Sequence, residues 1–537
     1  DVVIEPRLSL QWWVDMKELS EPALENVMND NIQFHPSKFK NTYRHWMENV
    51  RDWCISRQLW WGHRIPAYFY GEGDNDFVVA KNLELAVKAA QEKSGNSDLT
   101  ADDLKQDEDV LDTLFSSLLW TISVFDGFYE KDEVDYYYPT NDLVTAPEIM
   151  FFWVARMIIA GYEYRGELPF KNVYYTGIVR DKQGRKMSKS LGNSPDPLEL
   201  ISQYGADGVR MGMLFSTPAG NDLPFDSKIC EQGSKFSNKI WNAFRFLTMN
   251  MEEGVEYKPT TEIDTENLVD RWMLARIQQT VKEVEDDFKN YKLNDALKKV
   301  YSLIWDDYCD WYIELAKPAN YGDAFDTERM NVALGMFEIL MKLLHPFMPF
   351  ISEEIWQYID ERSADEALCV SDWPTFETEP ALDDINEFER FKQIVSALRN
   401  IRAEMGVSPK KDIEVLIKSE KAASLEQHEW ILRKLQSLKS LFIAEDFKKP
   451  KACASALVGK DEVFVQMFGI VDVDKEIERI KKEIQRVEGF LKGVNGKLNN
   501  ANFVDNAPDA VVENERNKKS DGEANLAKLK EQLSDFE

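Results

Sequence analysis

The sequence predicts an α/β layer over residues 1–230, an all-α bundle over 231–380, a small α/β module over 381–470 and an antiparallel coiled-coil arm over 471–537. Three observations carry this prediction. The first part alternates strand-like and helical text, the middle repeats apolar residues at spacings of three and four, and the end carries a heptad seam. The chain has 537 residues, enough for about three or four domains of ~150 residues each. Its 44% hydrophobic and 12% aromatic content excludes a disordered, collagenous or disulfide-scaffold chain.

In the first module, Val173–Tyr174–Tyr175–Thr176–Gly177 reads as a buried strand. The stretch 147–161 before it reads as an apolar helix with Pro147 in its first turn and Gly161 at its end. The polar loop 180–189 follows, then a helix capped by Asp196 with Pro197 at its first position. Helix, strand, loop, helix is the grammar of an α/β layer, whose ligands sit beyond the carboxyl ends of strands.

The periodicity then predicts helices over 240–249, 271–288, 296–316 and 330–344, with a further helix starting near Ser352. Pro374 and Pro380 punctuate the end of the bundle. The third module holds a helix over 387–405 and two short strands over 413–417 and 463–467. In the arm, Ile477, Ile480, Ile484, Val487, Leu491, Val494 and Leu498 alternate steps of three and four. A tip over 499–508 leads to a return segment through Leu526, Leu529, Leu533 and Phe536. Its stretch 517–522 lacks seam residues and contains Gly522, so it is expected to fray.

Lys and Arg total 65 against 95 Asp and Glu, a formal charge of -30. Such a surface repels polyanions on average, so nucleic-acid binding has to come from local basic patches. No stretch approaches the ~18 apolar residues of a membrane span, and the opening DVVIEPRLSLQWW carries no leader signature. Five scattered cysteines form no CxxC pair, so neither zinc nor a disulfide framework is expected. The expected setting is a cytoplasmic monomer.

The one chemistry-bearing motif is Lys186–Met187–Ser188–Lys189–Ser190, on the loop between the strand and the Asp196 helix. Two lysines three apart, with Gly184 before and Gly192 after, bring compact charges to phosphate oxygens on a loop able to close. Arg180, Lys182 and Arg185 enlarge the patch. Taken as an isolated pentapeptide, the alternative is a solvated surface loop. No Walker loop and no GxGxxG after a strand is present.

TGIVRDKQGRKMSKSLGN resembles the signature loop of class I aminoacyl-tRNA synthetases. IEPRLSLQWW, WCISRQLWWGHRIPAYFYG, DEDVLDT, FFWVARMIIAG, LLHPFMPFISEEIW and KLNNANFVDNAPDAVVENER extend the resemblance over nearly the whole chain, toward the valyl-tRNA synthetase family. The isoleucyl family typically ends in a cysteine-rich zinc module, absent here. The resemblance implies an incomplete Rossmann-type catalytic domain, an anticodon-binding bundle, a connecting module and a tRNA-contacting arm. It implies ATP-dependent activation of valine, with Mg²⁺ accompanying ATP, and transfer to tRNA(Val).

By the same resemblance, Lys189 is the first choice for the ATP phosphates and Lys186 the second, while Met187, Ser188 and Ser190 shape the loop and Glu148 falls where the ATP ribose is held. Trp61, Asp112 and Leu114 match the amino-acid pocket. Lys481, Lys482, Arg486, Lys492 and Lys497 are the tRNA contacts offered by the outgoing arm helix, with Lys518 and Lys519 on the return; an ordinary solvated face is the alternative for all of them.

The sequence departs from the family pattern in three places. A His-x-Gly-His element occurs nowhere in it, which leads us to expect a C-terminal part of a longer protein, lacking the first Rossmann half and the editing domain and inactive alone. Leu114 stands where the family usually has Trp, enlarging the pocket. Ala146 and Glu148 stand where it has Gly and Asp. A non-catalytic tRNA-binding paralogue with a degenerate nucleotide site is the competing reading, and a coiled-coil interaction protein a weaker third.

Overall fold

The computed structural model describes residues 3, 5, 8–125, 132–251, 255–262, 266–318, 325–469, 473–500 and 509–536. The chain divides into two compact units, one of 1–234 with 285–298 and the other of 235–284 with 299–537.

The first unit is built on a parallel three-stranded sheet. Strand Phe170–Tyr175 lies between Gln33–His35 and Thr140–Thr145, with Val173 opposite Phe34 on one side and Leu143 on the other. Parallel neighbours need a crossover, and the helical run from Pro147 to Arg165 supplies it between Thr145 and Phe170. The run enters as a 3-10 turn, Pro147–Ile149, widens into a π segment, Met150–Val154, and continues as the α-helix Ala155–Arg165. Val154, Met157 and Ile158 pack with Phe34, Tyr43, Phe170, Val173 and Tyr175 to form the main core.

The helix does not end at Gly161, as the sequence pattern suggested; it runs to Arg165 and closes on Gly166 at φ 72°. Gly161 serves close packing instead. A Cβ there would stand 2.8 Å from the Tyr138 hydroxyl and 2.9 Å from the Glu167 carbonyl oxygen, both well inside contact distance. Beyond the sheet, short antiparallel pairs hold the connecting text: Trp13–Val14 with Trp53–Cys54, Ser56–Arg57 with Val110–Leu111, and Ala67–Phe69 between Phe77–Val79 and Lys105–Gln106.

The second unit begins in a helical bundle. Trp272, fully buried, stacks on Phe388 with ring centroids 3.8 Å apart, a pairing worth about 0.5–1.5 kcal/mol beyond its buried area. Tyr312 donates to Asp270 at 2.9 Å, and buried Asp307 pairs with Arg276 and Lys392, each at 3.0 Å. Trp272 is therefore a core residue. The expected 296–316 helix is Leu293–Ser302, a π segment Leu303–Tyr312 and Ile313–Ala316. The helix expected to start near Ser352 starts at Pro349, whose missing N–H suits a first position. Ser352 lies inside it, donating to the Met348 carbonyl at 2.8 Å and bonded to His345 Nδ1 at 2.8 Å.

After the bundle, helix Leu382–Glu404 covers a four-stranded sheet ordered Leu438–Ala444, Ile413–Lys418, Asp461–Gln466, Cys453–Val458. The central Ile413–Lys418 alternates buried and half-buried residues, as a strand covered on one face does. The arm pairs Val473–Leu498 with Asp509–Phe536. Ile480, Ile484, Val487, Leu491 and Val494 are buried on the outgoing side, Val512 and Leu529 on the return.

The return helix is continuous through 517–522, where fraying was expected. Gly522 explains it: a Cβ there would meet Leu491 Cδ2 at 2.7 Å, so the bare glycine gives Leu491 its space. Of the expected tip, 501–508 lies outside the described residues. No helix among the described residues is long and apolar enough to cross a membrane.

Candidate active site

Two sites flank the crossover helix of the first unit: the basic loop at its start and a cavity along its side.

The loop follows the central strand. Val179–Arg180 pairs with Leu223–Pro224, and a bridge between Arg180 and Lys186 closes residues 181–185 into a tight excursion. Asp181, 7% exposed, organises it by accepting from the Arg185 amide at 2.8 Å, the Gln183 amide at 3.0 Å, Arg185 Nε at 2.7 Å and Asn193 Nδ2 at 3.0 Å. The Asn193 amide first, and then these other donors, hold its carboxyl down at about 2. Asn193 also takes the Ser188 amide at 2.9 Å and donates to the Lys186 carbonyl at 3.3 Å. Met187 and Ser188 are half-buried, and Ser188 Oγ lies 3.1 Å from that of exposed Ser190. Lys189 opens the short 3-10 turn Lys189–Leu191; its side chain is outside the described set.

Each basic side chain described on this loop has an acidic partner. Arg180 pairs with Asp222, Lys182 with Asp226 at 3.1 Å, Arg185 with Asp181 at 2.7 Å, and Lys186 with Glu148. The structure thus brings two predicted residues, Lys186 and Glu148, into direct contact. Ala146, the other departure, has φ -83° and ψ 145°, extended backbone open to any residue, so its Cβ imposes no strain there.

The cavity has a volume of about 870 Å³ and is walled by Trp13, Trp46, Trp53, Leu114, Phe151 and Phe152. Asp112, 8% exposed, is its anchor. One carboxylate oxygen caps the helix Thr113–Ser117 through the Leu114 amide at 2.9 Å; the other accepts from Trp53 Nε1 at 3.1 Å and from Arg57 Nη2 at 2.5 Å. Arg57 is fixed in turn by the Cys54 and Ser56 carbonyls, at 2.9 and 2.7 Å. Asp112 and Leu114 therefore share one cavity. Trp61 does not line it; its side chain is 90% exposed on the turn after Ser56–Arg57.

Arg156, which the sequence reading did not single out, also lines the cavity. It is 7% exposed and lies 3.4 Å over the Trp53 ring. Its Nε and Nη1 have no hydrogen-bond partner among the described residues. Burial pushes its ionisation down to about 10, partly opposed by Asp112, so it remains a cation at neutral pH. A lone charge in the apolar run FFWVARMIIAG was the available signal.

In the arm, Lys482 pairs with Glu478 at 2.6 Å and Arg486 with Glu483 at 2.5 Å. Lys497 reaches across to Glu515 at 3.4 Å, which Lys518 also contacts at 2.8 Å. Lys481 and Lys492 are exposed. Among the described residues, no group of three or more His, Cys, Asp or Glu is placed to hold a metal ion.

Comparison with known proteins agrees with this architecture. Residues 3–226 match the family model for class I tRNA synthetases (I, L, M and V) and 270–417 that for the anticodon-binding domain of tRNA ligase. The chain belongs to the class I tRNA synthetases. Residues 472–537 match the valyl tRNA synthetase tRNA binding arm. Its relatives include valine–tRNA ligases of Christiangramia forsetii, 52% identical, and Bacteroides fragilis, 50% identical, each over 99% of this chain. That of Fusobacterium nucleatum is 42% identical over 100% of it. The chain spans 60% of the length of these relatives. A Mycobacterium tuberculosis methionyl-tRNA synthetase in complex with methionyl-adenylate superposes with a TM-score of 0.48 at 19% identity, covering 65% of this chain and 62% of that one.

Proposed function

We propose that this chain serves valine–tRNA ligation, contributing the loop-bearing part of the catalytic domain, the anticodon-binding bundle, the connecting module and the tRNA-binding arm. The carrying observation is the 52% identity to a valine–tRNA ligase over 99% of the chain.

In this reading the valine carboxylate attacks the α-phosphorus of ATP, the bond to the β-phosphate breaks, and pyrophosphate leaves; a terminal ribose hydroxyl of tRNA(Val) then attacks the acyl carbon, the acyl–phosphate bond breaks, and AMP leaves. Such transfer rests on positioning and charge stabilisation. Lys186 and Lys189 are the phosphate ligands, with Lys186 exchanging Glu148 for phosphate as the loop closes. Mg²⁺ accompanying ATP would supply charge stabilisation at the phosphates. Asp112 and Leu114 belong to the valine pocket, and Leu114 leaves more room there than an indole would. One missing methylene is worth only ~1–3 kcal/mol of discrimination, so isoleucine is the competitor to test.

The deciding experiment is valine-dependent ATP–pyrophosphate exchange, on this chain and on a polypeptide of the relatives' length that contains it. Exchange in the longer polypeptide and none in the chain alone is expected. The Lys186–Glu148 pair favours one alternative, a tRNA-binding paralogue with a neutralised nucleotide site; tRNA binding without exchange in the longer polypeptide would establish it.

For the arm, deleting 472–537 is expected to weaken tRNA binding at least tenfold and to flatten its salt dependence, measured by filter binding across 50–200 mM salt. Lysines 481, 482, 492 and 497 and Arg486 then act as phosphate contacts, each adding to the slope. An unchanged slope refutes that role.

A further inference from the structure

The loop that carries Lys186 has no apolar anchor. Among the described residues of 180–193 none belongs to a buried hydrophobic cluster, and Lys186 and Ser190 are exposed. Ordering an exposed loop costs backbone entropy, so whatever fixes this one is polar and local.

Two side chains fix it. Asp181 directly follows the strand Val179–Arg180, and Asn193 stands three residues before the helix cap Asp196. The Asn193 carboxamide meets three demands at once. Its Oδ1 accepts the Ser188 amide at 2.9 Å, while Nδ2 donates to Asp181 Oδ2 at 3.0 Å and to the Lys186 carbonyl at 3.3 Å. A carboxylate in its place would face Asp181 with like charge, and an aliphatic side chain would satisfy none of the three. Asp181 in turn gathers the Gln183 and Arg185 amides. Their contact pins both ends of 182–192 at one point, and the same carboxamide holds the backbone on either side of Met187. Gly184 and Gly192, at φ 77° and 59°, supply the left-handed turns that bring the chain back in so few residues.

The consequence falls on Lys186. Its ammonium is a point charge on a flexible four-carbon stem, resting on Glu148. Such a stem supplies little positioning of its own, yet phosphoryl transfer depends chiefly on positioning. The placing has to come from the backbone, and Asn193 is bonded to that backbone at the Lys186 carbonyl.

We infer that Asp181 and Asn193 form a clasp that presents the Lys186–Ser190 motif to the ATP phosphates as one body, which makes both of them positioning residues for amino-acid activation. This rests on the valine–tRNA ligation reading above.

The test measures valine-dependent ATP–pyrophosphate exchange in the polypeptide of the relatives' length. Asn193→Ala is expected to lower kcat/KM for ATP at least tenfold while KM for valine stays within twofold. Asn193→Asp should do the same by repulsion from Asp181. Combining it with Asp181→Asn restores a donor and an acceptor across the contact, and should recover at least fivefold over Asn193→Asp alone. A second readout needs no activity. In the 537-residue chain, amide hydrogen exchange over 186–191 should quicken at least tenfold in Asn193→Ala, with the strand over 170–175 unchanged.

Exchange kinetics unaltered in Asn193→Ala overturn the clasp, as does a loss seen only in KM for valine. Equal hydrogen exchange over 186–191 with and without Asn193 also overturns it, and a combined variant no better than Asn193→Asp overturns the pairing of the two residues. Absence of pyrophosphate exchange in the unmodified longer polypeptide overturns the ligation reading and the positioning role with it, whereas exchange there with an indifferent Asn193→Ala overturns the clasp alone.

Discussion

Arg156 in the first unit and Arg402 in the second are buried to nearly the same degree, 7% and 4% exposed. Arg402 donates Nη1 to the Ser408 and Lys411 carbonyls at 2.9 and 2.7 Å and Nη2 to the Ser437 carbonyl at 2.8 Å. It staples the end of its helix to the loop and strand beside it. Arg156 has an aromatic ring and a cavity. Burial alone does not say what a buried charge is for. Arg402, with only its Nε left without a partner among the described residues, ties three backbone segments together; Arg156, with both Nε and Nη1 so left, ties none.

The sharpest attempt to break this contrast is a matched pair of substitutions. Arg402→Met removes three charge-assisted hydrogen bonds, each worth ~1.5 kcal/mol or more, and although the Ser408 and Ser437 carbonyls keep the Lys411 and Ile413 amides, urea unfolding should show a loss of about 4 kcal/mol. Arg156→Met removes an unsatisfied cation and strands nothing, so its stability should stay within about 1 kcal/mol of the parent. Equal losses would mean that Arg156 is structural too.

Asp112→Asn sharpens the picture from the other side. It keeps the cap on the Leu114 amide but removes the charge facing Arg57, one side of a partly exposed pair. After discounting for solvent, the expected loss is about 2 kcal/mol by the same measurement.

The smallest effect concerns a third cation of intermediate type. Lys434 donates to the Leu315 carbonyl at 2.8 Å and to that of Lys317. Burial first, and then the charge of Arg329, bring it down to about 8 from 10.5. Between those two pH values the unfolded chain carries a proton that the folded one has released. Stability contributed by this group therefore rises with pH from about 8 to 10.5 and is flat below 8. The rise should be visible in melting temperatures across that window and absent in Lys434→Met.

The sequence disclosed whatever depends on neighbours in the chain. The arm's seam is a local period, and the helix after Asp196 is announced by a cap and a proline side by side. The Lys186–Ser190 motif, meaningful only by resemblance, falls on the loop where the strand and helix text put it. In the third module two strands were missed because their text does not look like strand: CASALV over Cys453–Val458 is small and polar, and LKSLFIA over Leu438–Ala444 places lysine and serine on a sheet edge. The cavity was half legible. Asp112 and Leu114 are two residues apart in sequence, but Arg57 and Asp112 are 55 apart, and the unmet nitrogens of Arg156 depend on Trp53, which is distant in sequence and lies against it in space. An unmet hydrogen bond leaves no trace in a string of letters.

The π segment Met150–Val154 carries one consequence for how this protein can change length. A π turn holds an extra residue relative to an α turn, so the stretch behaves as an insertion absorbed by the helix without shifting its ends. Removing one of these five residues would let the run relax to ordinary α-helix while the residues on either side keep their registers. Glu148, upstream of the bulge, would stay against Lys186, and Arg156, downstream, over the Trp53 ring. The same deletion inside Ala155–Arg165, where no extra residue is stored, would instead rotate everything beyond it by about 100°.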